Sequence, residues 1–298
     1  MSARLAVLAI LAAMVIYGAN FAVTRLGTQY GLTPGDLAAA RFGIAGFLLL
    51  PVFVRHGIST CAGLGWRRGV VLAITGGAVM TLCMNTGLKF APAAHGAALG
   101  PGTVTTVGVV FAMVAAGVAP PLLSVLGLAT ILAGLATIAI AGSTSGGSNV
   151  PLGDALFFVT GLLWGFYPIL LHRWRVGPMV SAAIVAVLSL VYLPIWLAGG
   201  VSHLAAVPLW MVLFQCFFQG ILNSIVGLWL WGHAVKTLGA SRTQLFPPLI
   251  PVLGTLFAIP ILGEIPGPLQ GLGVLLIVGG ILTSLLGARL RARKTASA

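Results

Sequence analysis

The chain of 298 residues is 59% hydrophobic, holds 41 glycines besides, and is only 6% charged. A soluble domain carries about 25% charged residues, so this composition excludes a soluble fold of this length and points to a polytopic integral membrane protein. The net charge of +12 is spread over short loops and a tail with no aromatic-basic face, which argues against nucleic-acid binding and for a sidedness signal.

A membrane-spanning helix needs about 20 consecutive apolar residues. Reading between charges and turn residues predicts ten, at 5–23, 36–54, 69–88, 94–118, 122–141, 152–171, 179–197, 208–231, 243–262 and 268–286. The first begins like a signal peptide, with Arg4 ahead of an apolar run, but no cleavage site follows and it is read as a span. Outer-membrane barrel strands would alternate in hydropathy, and these segments do not. Of the 15 bases, 12 fall on the side that holds both termini, two (Arg25 and Lys89) on the other, and Arg41 lies within the second span. That asymmetry predicts a cell inner or plasma membrane protein with cytoplasmic N and C termini. Cys83 and Cys216 sit in apolar runs and Cys61 in a basic loop, with no metal-ligand spacing, so no metal and no cofactor are expected.

The linker-like stretch Ser-Thr-Ser-Gly-Gly-Ser-Asn at 143–149 lies at the midpoint of the chain. A shift of 147 residues aligns Tyr17-Gly18 with Trp164-Gly165 and Pro101 with Pro248, and a shift of 146 aligns Gly127 with Gly273 and Gly134 with Gly280. The chain therefore reads as a five-helix repeat over 1–142, a linker over 143–150, and a second five-helix repeat with a basic tail over 151–298. Because five is odd, the second repeat enters the membrane upside down relative to the first. The expected fold is all-α, with ten transmembrane helices as two inverted repeats, a plan common among secondary transporters.

The run from Gly239 to Gly254 (Gly-Ala-Ser-Arg-Thr-Gln-Leu-Phe-Pro-Pro-Leu-Ile-Pro-Val-Leu-Gly) continues through Leu262-Gly-Glu264 to Gln270-Gly-Leu-Gly273 and Gly280. It resembles the EamA-type repeat of the drug/metabolite transporter superfamily. Tyr17-Gly-Ala-Asn-Phe21 and Trp164-Gly165 are similar to the Trp-Gly first helix of such repeats, and Arg41 to the arginine early in the second. Two departures stand out: Gly117 occupies the place of Glu264 in the first repeat, and Tyr17 that of tryptophan. Within the superfamily the closest resemblance is to the aromatic amino-acid exporter branch. The resemblance implies a carrier without cofactor or ATP, exporting a small molecule through a central cavity.

A carrier site should present polar and aromatic groups at helical spacing in mid-span. The candidate substrate-binding residues are Tyr17 and Asn20 in the first span, with Thr24 on the same face; Met80, Met84 and Asn85 in the third; and His95, Pro101 and Thr105 in the fourth. The second half adds Trp164 and Tyr167 in the sixth span, Gln215, Gln219 and Asn223 in the eighth, and Gln244 and Pro248 in the ninth. Intramembrane amides serve equally as hydrogen-bond glue between helices, and methionines as plain packing. Pro101, Pro168, Pro247, Pro248 and Pro251 lie inside predicted spans and are expected to bend them as gating elements.

Asp36, Asp154 and Glu264, the whole acidic complement, fall at predicted helix ends. Capping is the expected role of Asp36 and Asp154, which favours facilitated or weakly coupled export without a carboxylate relay; His95 is the remaining titratable candidate. An intramembrane enzyme lacks its motifs here (no HExxH, GxSxG or GxGD), no Walker sequence supplies ATP hydrolysis, and a duplicated bundle does not suggest a channel ring. A neutral cavity lined by aromatics and amides suits a zwitterion with an apolar side chain, aromatic and hydrophobic amino acids above all; cationic dyes, nucleosides or other metabolites are the alternative cargo. A functional monomer in the lipid bilayer is the simplest expectation.

Overall fold

A computed structural model describes residues 3–116, 121–144, 149–200, 202–238, 246–247 and 249–296. Helix occupies most of the described part of every expected span, and no strand occurs among the described residues. The first two spans are α1 (Ala3–Gln29) and α2 (Pro34–Arg55). The third is broken into α3 (Trp66–Gly76) and α4 (Ala78–Phe90). The fourth, fifth and sixth are α5 (Ala93–Ala116), α6 (Leu122–Thr144) and α7 (Val150–Trp174). The seventh runs from α8 (Pro178–Leu188) through a 3-10 turn at Ser189–Val191 to α9 (Tyr192–Ala198). The eighth joins α10 (Leu209–Gln215) to α11 (Gly227–Leu238) by a π-helical segment, Cys216–Val226. The last two are α12 (Leu249–Leu262) and α13 (Pro268–Ala296).

Seven of these helical stretches are long and apolar enough to cross a bilayer, and the shorter apolar helices Leu122–Ile138 and Leu249–Leu262 pack among them. The burial pattern is that of a multi-pass membrane protein. Large apolar side chains such as Leu8, Phe47, Val114 and Leu275 face outward, while the core is rich in alanine: Ala13, Ala93, Ala97, Ala98 and Ala258. Where lipid is as apolar as leucine, helices gain by close approach, and small side chains allow it.

The packing has two-fold symmetry. The first span lies on the ninth and the fourth on the sixth; the third lies on the sixth and the first on the eighth; the second lies on the eighth and the third on the seventh. Each of these pairs turns into the other when every span is exchanged for its counterpart five places along. The fifth and tenth spans, the most extensive contact, pair with each other, as do the second with the seventh and the fourth with the ninth. A Cβ added at Gly127 would come within 2.7 Å of the Gly280 carbonyl oxygen, and one at Gly134 within 2.8 Å of that of Gly273. The fifth and tenth spans therefore run antiparallel with backbones in contact, and exchange of the repeats carries one glycine pair onto the other. Such an axis lies across the helices, as inverted repeats require.

Candidate functional site

The centre of the bundle is built from the first helix of each repeat and the broken third helix of the other. Tyr17 of α1 lays its ring on Gly227, the residue that ends the π segment, where a Cβ would meet Tyr17 Cε1 at 2.9 Å. Tyr167 of α7 lays its ring on Gly76, the last residue of α3, where a Cβ would meet Tyr167 Cδ2 at 3.0 Å. Tyrosine fits because a flat ring needs a flat neighbour, and glycine supplies one. The break at Gly77 is held open by a second break: the Ala78 N–H donates to Ser189 Oγ at 3.1 Å, the start of the 3-10 turn of the seventh span. Tyr17 lies within electrostatic reach of both Arg41 and Tyr167. Arg41 Nε is buried without a hydrogen-bond partner among the described residues, and its guanidinium lies 5.5 Å from the centre of the Phe42 ring. A guanidinium beside a phenol can take a carboxylate through its forked donors and leave an apolar side chain against the rings.

The amides of the eighth span serve differently. Gln215 Nε2 donates to the Val23 carbonyl at 2.6 Å, and Gln219 Nε2 to Thr24 Oγ1 at 2.8 Å. Thr24 Oγ1 in turn reaches Asn20 Oδ1 at 3.5 Å. Asn20, Thr24, Gln215 and Gln219 thus form a buried ladder that fastens α1 to the eighth span. Asn223 is buried on the same span. Ser224 Oγ donates to the Gln219 carbonyl five residues back, following the π geometry. Asn85 ties the third span to the second through the Pro34 carbonyl at 3.2 Å, and Met80 and Met84 are buried beside it. Trp164 is half-buried one turn before Tyr167. Pro101 is buried within α5, where Thr105 Oγ1 returns to its carbonyl at 3.0 Å. Pro168 lies inside α7.

Three expectations need correction. Pro247 lies in the turn ahead of α12, and Pro251 in its first turn. A proline there forfeits no intrahelical bond, because first-turn N–H groups have no partner within the helix. Within the described helix neither proline breaks a hydrogen bond. Asp154 is not a cap: α7 starts earlier than expected, at Val150 after Asn149, and carries Asp154 into its second turn. His95 does not reach the centre; it is buried at the end of the bundle that holds all three acids, with Nδ1 2.8 Å from Asp154 Oδ1. Gln244 and Pro248 lie outside the described residues.

That acid-bearing end is closed by contacts between distant residues, and sequence spacing carried no signal of them. Arg25, near the end of α1, pairs with Glu264 beyond α12 and donates to the Leu88 and Ala91 carbonyls, each at 2.7 Å. Glu264 also accepts the Ala93 N–H at 2.9 Å. Asp36 does cap as expected, within a box in which Thr33 is the N-cap, and it reaches further, accepting from Trp196 Nε1 at 3.0 Å and the His203 N–H at 3.2 Å. At the opposite, basic end a cavity of about 450 Å³ opens, lined by Arg68, Leu170, Arg173, Trp174 and Arg175. Its floor, Leu170 and Trp174, belongs to the apolar cluster that holds Phe42 and Tyr167.

The sequence profile of the EamA-like transporter family matches residues 4–140 and again 151–286. The chain belongs to the EamA-like transporter family, within the drug/metabolite transporter superfamily. The transporter is 25% identical over 285 residues to YyaM, an uncharacterized transporter of Bacillus subtilis (strain 168), covering 91% of this chain and 90% of that one. It is 24% identical over 275 residues to an uncharacterized transporter of Archaeoglobus fulgidus, covering 90% and 93%. A solved crystal structure shares the fold at a TM-score of 0.57 and 21% identity, over 96% of the transporter and 98% of its own chain.

Proposed function

We propose that the protein is a secondary transporter that exports small amphipathic metabolites, aromatic and hydrophobic amino acids first among them, by alternating access at the Tyr17–Arg41–Tyr167 centre. The observation that carries this reading is the symmetric pair of tyrosine rings on glycines at helix breaks, with the half-buried Arg41 in electrostatic reach of Tyr17. Broken helices around a mid-membrane site are the means by which carriers expose backbone and cation to a substrate. Arg41 takes the substrate carboxylate and the tyrosines its side chain; a dye cation would meet the arginine as a like charge. The two repeats, over 1–142 and 151–298, rock against each other, with Pro101 and Pro168 as the bends. The described state has its cavity at the basic end, which the excess of arginine and lysine marks as cytoplasmic, and its contacts drawn tight at the outer end. The protein acts as a monomer in the cell inner or plasma membrane.

The test is counterflow in proteoliposomes loaded with L-tryptophan, L-phenylalanine, uridine or a cationic dye. Saturable exchange of the aromatic amino acids, with little of the dye, is expected. Exchange of uridine or dye in preference to amino acids would overturn the substrate assignment, and ionic conductance without saturation would overturn the carrier itself.

A further inference from the structure

His95 joins three spans of the two repeats. Its Nδ1 faces Asp154 of α7, and its Nε2 lies 2.9 Å from Gln270 Nε2 of α13. The protonation of the ring follows from its neighbours. The Gly267 N–H, which can only donate, bonds to Gln270 Oε1 at 3.0 Å. That turns the amide NH2 toward His95, so His95 Nε2 must be the acceptor and carry no proton. The ring proton is on Nδ1 and is donated to Asp154 Oδ1. The second oxygen, Asp154 Oδ2, is buried and has no hydrogen-bond partner among the described residues. The outcome is a neutral imidazole on an under-bonded, buried carboxylate, in a wall of Phe157, Gly96 and Gly87. Buried ionisable groups within a membrane bundle are expensive, and charge relief there is a driving force.

We propose that the His95–Asp154 pair is the proton site through which transport is coupled to a proton gradient. Water on the outer side gives one proton to His95 Nε2; the only bond formed is N–H, and the pair passes from a lone negative charge to an imidazolium–carboxylate pair. The same proton returns to water after the carrier has turned. Protonated Nε2 is a donor and meets the donor NH2 of Gln270. The amide must rotate, which forfeits the Gly267 bond and loosens the loop between α12 and α13. That loop carries Glu264, whose pairing with Arg25 and the Ala93 N–H closes the outer end. Proton arrival from outside thereby opens the outer end, the sense required to exchange an outgoing substrate for an incoming proton. The charged groups around the pair are the Arg25–Glu264 bridge, two residues from His95 at Ala93, and Lys89, which is exposed and lies over the Phe90 ring. From α13, among the described residues, the amide of Gln270 faces the pair.

This coupling rests on the transporter reading, and two measurements separate them. The first needs no substrate: solid-state NMR of the 15N-histidine-labelled full chain in lipid, titrated with acid. His95, assigned by the signal absent from His95→Gln, should pass from an unprotonated to a protonated Nε2, and Asp154→Asn should lose that conversion over the same range. A His95 that keeps one neutral tautomer wherever the wild-type protein stays folded overturns the proposal, whatever the variants do. The second adds L-tryptophan to proteoliposomes holding the pH dye pyranine. Wild-type transport should shift the lumen pH in step with tryptophan. Tryptophan crossing at constant lumen pH overturns the proton site and leaves the substrate reading intact. A titrating His95 with no tryptophan movement overturns the substrate reading and leaves the proton site standing.

Discussion

At the scale of single residues, the glycines under the tyrosines are as telling as the tyrosines. Gly76→Ala and Gly227→Ala would bring a methyl to 3.0 and 2.9 Å, respectively, from a ring carbon, well inside contact distance. Overpacking of this kind costs about 1–3 kcal/mol, so L-tryptophan exchange should fall about tenfold while monodisperse protein is still recovered; unchanged rates would detach the rings from the path. Gln219 should behave otherwise. Because it donates to Thr24, Gln219→Ala should lower thermal stability by about 0.6 kcal/mol and leave the KM for substrate unmoved. A raised KM with an unchanged melting temperature would return Gln219 to the site. Tyr17 and Tyr167 stood out in the sequence because an aromatic in mid-span has few other reasons to be there, whereas Arg41 stood out only as the arginine that EamA-type repeats carry early in the second helix. The role of Asp154 was not legible, because a shift of two residues in the start of α7 carries it from a solvated cap to a buried turn, and its partner His95 is 59 residues away.

At the scale of elements, apolar length alone places the helices, and the glycine register of the fifth and tenth spans anticipates their contact. The aligned pairs Gly127 with Gly273 and Gly134 with Gly280 mark equivalent positions, and an antiparallel crossing brings each beside the other's equivalent. Gly134→Leu or Gly280→Leu would drive a side chain into the opposing backbone. Either should abolish recovery of monodisperse protein in size-exclusion chromatography, whereas Gly100→Ala, with open space at its Cβ, should not; folded Gly134→Leu protein would contradict the packing. The breaks were harder to read. The breaks at Gly77 and Ser189 meet in space, where the Ala78 N–H donates to Ser189 Oγ, and in the π segment Ser224 bonds to Gln219 across five residues. Pro247 lies in a turn just ahead of the described helix and Pro251 in its first turn, where neither breaks a bond of that helix.

At the scale of the molecule, both ends carry structure that charge counting alone does not convey. The bases gather at one end, and the three acids, all at the other, close it: Asp36 across to the loop after α9, Glu264 to Arg25, and Asp154 to His95. Arg25→Met should cost less than the roughly 3–5 kcal/mol of a fully buried pair, because the two side chains keep 18% and 19% of their exposure. Part of that loss should return in Arg25→Met/Glu264→Gln, read as the melting temperature in detergent. No recovery in the double variant would mean that the two side chains act independently.

The most direct test of the central assignment is the rate of saturable L-tryptophan counterflow in proteoliposomes of wild type and Arg41→Gln, at equal pH on both sides. A carboxylate held by a buried guanidinium predicts saturable exchange by the wild type and its loss in Arg41→Gln with the fold retained by circular dichroism. Equal exchange by the two proteins would contradict the account.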